Sequence, residues 1–221
     1  MYPANTFPDQ SPLIDAELEA QLTPILEKLT EPVTLCSIID PEEASSQELA
    51  AFIRHFTRLG AMLSCEFYAP DENHAAEQIL DCPFLPATLL RKGDIYQNVS
   101  FHGIPGGKEI NAFVLSLYNC AGPGQKLSPF LKKKIMALTS EIHLTVCVSL
   151  SCHHCANLVS VCQHMALINP HIHTCAIDAR LYPEFVESEK IERVPLLIIN
   201  NDNRVLGDKS MEEVYALIKD L

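Results

Sequence analysis

Two apolar patterns, a β-rich run and then a helical spacing, follow one another in the same order twice along this chain. A β-rich run, "PVTLCSII" from Pro32, is followed by Leu49, Phe52, Ile53 and Phe56. Steps of three and four residues put apolar side chains on one face of a helix. The run "IHLTVCVSL" from Ile142 is followed in the same way by Leu158, Val161, Cys162 and Met165. A second strand-like run comes next in each half, "AMLSCEFYA" from Ala61 and "HIHTCAIDA" from His171.

The halves also agree in their punctuation. "FLPATLL" and "RVPLLII" place Pro86 and Pro195 at the head of a β-rich run, where a sheet tolerates proline. The turns "RKGD" and "NNDN" then lead to a short strand and to Gly103 and Gly207. Each half closes on an amphipathic helix, "KEINAFVLSLY" or "SMEEVYALIKDL". Before the first strands stand "LTPILEKL" and "LSPFLKKK", with Thr23 or Ser128 directly before a proline. That reads as N-cap then first helical residue, so a fresh helix is expected to start at Pro24 and another at Pro129.

A strand–helix–strand start gives parallel strands, and a tight turn between the last two gives an antiparallel hairpin. The expected fold is therefore α/β, with two tandem thioredoxin-like units. Each is a mixed four-stranded sheet packed with helices. Gly122, Pro123 and Gly124 break both patterns, which suggests one unit over residues 1–120 and a second over 121–221.

Composition narrows the function. The 221 residues carry a net charge of −12, and 48% are apolar. Residues 1–120 hold six Lys and Arg against seventeen Asp and Glu, whereas residues 121–221 are nearly balanced. An acidic chain without a basic patch is a poor binder of nucleic acid or anionic membrane. No apolar run approaches the ~20 residues of a membrane span. The N-terminus has neither a basic region nor an apolar core of a secretory signal. A cytoplasmic location is expected, as are no nucleic-acid and no membrane partners. Most of the nine cysteines, among them Cys36, Cys65, Cys147, Cys162 and Cys175, sit singly in apolar segments and read as small core residues.

The exception is "SLSCHHCANL", with Cys152 and Cys155 flanking His153 and His154. Zinc wants four ligands, often in two pairs, and His164, His171 and His173 form no second pair at a suitable spacing. A redox dithiol suits the place better, between a strand and a helix expected to begin just after Cys152. There the helix dipole favours a Cys152 thiolate, which attacks, and Cys155 resolves. His153 and His154 are possible tuning residues. A cis bond before Pro195 would set Val194 and Pro195 beside the sulfurs to bind substrate backbone. Aligning Cys36 with Cys147 puts Pro41 and Ala44 opposite Cys152 and Cys155, so the first unit is expected to be redox-silent.

The stretch from Ser149 to Ala179, followed by "VPLLIINN", resembles the N-terminal domain of the alkyl hydroperoxide reductase flavoprotein subunit. "EKLTEPVTL" and "GIPGGKEINAFVLSLY" fit the first half of the same domain. The resemblance implies a fused pair of thioredoxin-like folds in which the Cys152/Cys155 pair passes electrons to a peroxiredoxin. It also implies that Glu109 reaches the dithiol from the first unit; from the residues alone, Glu109 is an acid in a helix's first turn. The family often has Pro after the second cysteine, where this chain has Ala156. The family protein continues into flavin- and NADH-binding domains, and this sequence has no GxGxxG. No cofactor is therefore expected, and a separate reductase or a small thiol is expected to supply electrons. A tandem protein disulfide oxidoreductase, a docking adaptor and a zinc module are the competing readings.

Overall fold

The computed structural model describes residues 1–80 and 83–221. The first half runs α1 (Ala16–Leu26), β1 (Val33–Ile38), α2 (Ala44–Thr57), β2 (Leu63–Tyr68), the one-turn helix α3 (His74–Glu77), β3 (Ala87–Lys92) and β4 (Ile95–His102). A 3-10 turn, Gly107–Glu109, then leads into α4 (Ile110–Ala121). The second half repeats the order: α5 (Pro129–Met136), β5 (Ile142–Val148), α6 (Cys155–Ile168), β6 (Ile172–Asp178), α7 (Pro183–Ser188), β7 (Leu196–Ile199), β8 (Asn203–Leu206) and α8 (Met211–Ile218).

Each half forms the expected mixed four-stranded sheet. In the first, β1 pairs parallel with β2 and antiparallel with β3, and β3 pairs antiparallel with β4. In the second, β5 takes the same central place between β6 and β7, with β8 outside β7. The two sheets are not separate, however. β4 pairs parallel with β6, from Val99 opposite Thr174 to His102 opposite Ile177, so all eight strands form one sheet. Two edges that would each offer unpaired backbone groups thereby satisfy one another. One consequence is positional: the chain leaving β4 crosses the ends of β5 and β6.

Of the two helix starts expected at a proline, one holds and one does not. Ser128 stands at the N-cap of α5 with Pro129 first inside. In the first half no new helix starts at Pro24. α1 already begins at Ala16, where the Asp15 carboxylate accepts the Leu18 N–H at 2.8 Å, and Pro24 lies in its last turn. So close to the helix end, the missing N–H costs only one intrahelical bond. The polar and apolar positions around Pro24 match either reading, and the earlier cap decides it.

One large core lies between the sheet and the helices, and it spans both halves. Phe113 of α4 meets Phe52 and Phe56 of α2 and Phe101 of β4. α4 also packs against α6 across the halves, where the buried Ser116 hydroxyl donates to the Gln163 side chain. At the far edge the Tyr2 N–H donates to the Phe67 carbonyl at 2.7 Å, which partly covers β2.

Candidate redox-active site

β5 delivers the chain to the site. Val148 ends the strand, and the Cys152 N–H closes a turn on the Ser149 carbonyl at 2.8 Å. Cys152 and Cys155 are joined by a disulfide, with Cα atoms 5.5 Å apart. Cys155 is fully buried in the main core, Cys152 is half-buried against it, and His153 and His154 are exposed. The expected polarity, one sulfur outward and one behind, is present.

The helix start is a correction. α6 begins at Cys155 with His154 at the N-cap, not just after Cys152. Residues 149–154 are spent on successive turns. The unpaired N–H groups of the helix end therefore belong to the turn that starts with Cys155, and Cys152 stands ahead of them. α2 begins at Ala44, the residue aligned with Cys155, so the two turns correspond in space as they do in sequence.

The Val194–Pro195 bond is cis, and so is Leu85–Pro86 in the first half. The Pro195 carbonyl accepts the Gly207 N–H at 2.9 Å, as Pro86 accepts that of Gly103 at 2.8 Å. Val194 is half-buried and packs on the same core as Cys152 and Ala156. Its main-chain N–H and carbonyl have no main-chain hydrogen-bond partner among the described residues.

Glu109 reaches this region from the other half. Its 3-10 turn is fastened to the chain just before the dithiol, since the Lys108 N–H donates to the Leu150 carbonyl at 2.9 Å. The fit requires glycine. Gly107 has φ +55°, and a Cβ on it would stand 2.7 Å from the Leu150 carbonyl oxygen. Glu109 is only 2% exposed, and neither carboxyl oxygen has a hydrogen-bond partner among the described residues. Burial first, and the charge of Asp178 second, push its carboxyl up to about 8.

Asp178 is the residue that sequence reading missed. It ends β6, is buried, and lines with Glu109, Val148 and Leu150 one small cavity beside the turn that leads to the disulfide. Burial raises its carboxyl, while the Arg180 N–H and the charge of Arg180 act the other way. The available signal was an acid closing an otherwise apolar strand, "HIHTCAID". That pattern is also common at ordinary strand ends.

Five of the remaining thiols are of a different kind. Burial pushes Cys36 and Cys147 up to about 12 and Cys120 up to about 11, and it raises Cys65 and Cys162 as well. His171 and His173 lie at the start of β6, paired with Glu141 at 2.6 and 3.3 Å. Among the described residues no group of three or more His, Cys, Asp and Glu is arranged to hold a metal ion. No helix among them is long and apolar enough to cross a membrane.

No family model matches the chain. It is 30% identical over 206 residues to the alkyl hydroperoxide reductase AhpF of Pseudomonas putida, a match covering 93% of this chain and 37% of that protein. The chain thus spans little more than a third of the length of that curated relative. Among solved structures, the NTD_N/C domain of the alkyl hydroperoxide reductase AhpF from Enterococcus faecalis (V583) is similar with a TM-score of 0.88. The two are 34% identical, and the match covers 92% of this chain and 99% of that one. A protein disulfide oxidoreductase from Aeropyrum pernix K1 is similar in fold, with a TM-score of 0.82 at 19% identity over 93% of this chain and 92% of that one.

Proposed function

The chain belongs to the alkyl hydroperoxide reductase AhpF family, matching its N-terminal domain, and from that premise we propose that it is a thiol–disulfide oxidoreductase centred on Cys152 and Cys155. The observation that carries this reading is the disulfide at the strand-to-helix turn, with one sulfur half-exposed and its partner buried. Residues 121–221 are the working unit, and residues 1–120 are a redox-silent unit that contributes Glu109. The setting is cytoplasmic.

In the reduced protein the Cys152 thiolate attacks a disulfide of a protein partner, for which a peroxiredoxin is the candidate. A Cys152–partner disulfide forms, and the partner's second sulfur leaves with the electron pair. Cys155 gives its proton to the Glu109 carboxylate and attacks the Cys152 sulfur. The partner departs as two thiolates, which take their protons from solvent, and the Cys152–Cys155 disulfide is restored. A separate reductase or a small thiol then supplies two electrons, and Glu109 returns its proton to the Cys155 thiolate as the disulfide opens. A carboxyl pushed up to about 8 suits such a shuttle, because its affinity lies close to that of a thiol.

The partner's backbone is taken to run beside Val194 and Pro195, where main-chain groups of Val194 stand unbonded to the main chain. A groove of about 450 Å³ adjoins His153 between α4 and α6, lined in part by Leu115, Lys126, Asn157 and His164. We assign it to the partner's side chains. His153 and His154 are both exposed and follow Cys152 directly in the chain, and a tuning role for them is part of this proposal.

Cys155→Ser tests the reading directly. It is expected to stall on the partner as a covalent complex through Cys152, released by reductant and identifiable by mass spectrometry. A Cys152→Ser protein that still reduces the partner rules the proposal out. Two dithiols would suit a tandem protein disulfide oxidoreductase better, and Pro41 and Ala44 occupy the second place here.

A further inference from the structure

Glu109 and Asp178 enter one small cavity from opposite halves of the chain. Glu109 comes from the turn ahead of α4, and Asp178 is the last residue of β6. They are 2% and 4% exposed. Their surroundings differ in one respect. Asp178 Oδ1 accepts the Arg180 main-chain N–H at 3.0 Å, whereas both Glu109 oxygens lack a partner among the described residues.

We infer that Asp178 is a positioning residue for the proposed thiol chemistry, a fixed negative charge in the shared cavity that keeps the proton on Glu109. The inference rests on the redox function proposed above and adds a residue to it. Burial opposes ionisation of both carboxyls. A main-chain donor and a nearby cation favour the charged form of Asp178 alone. Asp178 therefore ionises first, and its charge then opposes the ionisation of Glu109. Two carboxyls with unequal partners divide into a standing charge and a proton carrier.

Among the described residues, the other groups around Glu109 do not replace this effect. His102 of β4 lines the cavity, but its Nδ1–H donates to the Phe84 carbonyl and its Nε2 meets the Ser100 hydroxyl. Lys108, on the same turn as Glu109, is exposed, and so is Arg180 beyond β6. From the active-site turn and α6 come Cys152, the exposed His153 and His154, and the buried Cys155. Cys147 of β5 is buried and also feels the charge of Asp178.

The step it serves is the opening of the disulfide. A donor thiolate bonds to the Cys152 sulfur, and the Cys152–Cys155 bond breaks with its electron pair left on Cys155. The proton of Glu109 moves to that sulfur, and the donor sulfur is oxidised into the mixed disulfide. Without the Asp178 charge, Glu109 would surrender its proton to solvent at lower pH and meet the leaving thiolate as an anion.

The test follows the Glu109 carboxyl by heteronuclear NMR through a pH titration of the full oxidised chain, in the parent, Asp178→Asn and Asp178→Ser. Asn keeps an acceptor for the Arg180 N–H, and Ser is smaller, so the two variants perturb packing differently. The Glu109 midpoint is expected to fall by about one pH unit in both, and to stay above the ordinary carboxylate range because burial persists. The pH profile for reduction of a chromogenic aromatic disulfide by the reduced protein should move with it. An unchanged midpoint in either folded variant overturns the inference. So does a profile shift that persists when Asp178→Asn is made in a Glu109→Gln background. If the midpoint falls but Cys152→Ser leaves disulfide reduction intact, the pair stands and the redox proposal fails.

Discussion

The main-chain N–H of Lys108 donates to the carbonyl of Leu150 at 2.9 Å, tying a turn of the first half to the chain two residues before Cys152. The bond exists because the residue before Lys108 is Gly107, whose left-handed backbone brings the turn within contact of Leu150. Gly107→Ala puts a Cβ where only 2.7 Å is open and the neighbour is main chain. We expect it to cost about 1–3 kcal/mol of stability, the usual range for such strain. Chemical denaturation measures the cost. The Glu109 titration midpoint should move as well, because the turn that buries it must shift.

Glu109 should also write a slope into stability against pH. Its folded carboxyl lies at about 8 and its ordinary value is 4.5, so between these the folded chain binds more protons than the unfolded one. The contribution is full below about pH 4.5 and is lost as pH rises through about 8, with a limiting slope of about 1.4 kcal/mol per pH unit. The difference in unfolding free energy between the parent and Glu109→Gln, measured in urea across that window, isolates this group. A difference that is flat with pH contradicts the assignment.

Native alkylation should separate one thiol from the rest. In the reduced protein near neutral pH, iodoacetamide is expected to label Cys152 first. Cys36, Cys120, Cys147 and Cys162 are all raised by burial and should react only after denaturation. Peptide mapping reads the order. Prompt labelling of Cys147 in the folded protein would show that the β5 core is open.

The groove beside His153 gives a prediction for the partner alone. Lys126 is exposed on its wall and has no role in the proposed dithiol chemistry. Lys126→Glu should raise KM for a protein disulfide about threefold to tenfold, the size of one exposed charge contact of ~1 kcal/mol, and weaken its salt dependence. Turnover of a small aromatic disulfide should not change. Equal loss with both substrates would remove the groove from partner binding.

Much of the fold was legible because it is written in periodicity. The β-rich apolar runs of β1 and β5 and the helical spacing of α2 and α6 are local, and each half repeats them, so each reading is made twice. Pro86 and Pro195 marked the same strand start in both halves for the same reason. Pro24 misled because a proline after Thr reads as a helix start, while the operative cap, Asp15, lay nine residues upstream. The start of α6 was misplaced because its first turn depends on how residues 149–154 fold back, which no local period records.

The sequence by itself determined two α/β units in tandem, a single dithiol, and which half holds it. These follow from covalent order and from local patterns of burial. Only the tertiary structure decided that β4 and β6 share an edge, and so that Glu109 and Asp178, 69 residues apart, close on one cavity under Leu150. The pairing of two sheet edges depends on surfaces that each half assembles from strands distant in sequence. The proton affinity of Glu109 likewise belongs to a buried environment assembled from both halves, a property that no single stretch of chain carries.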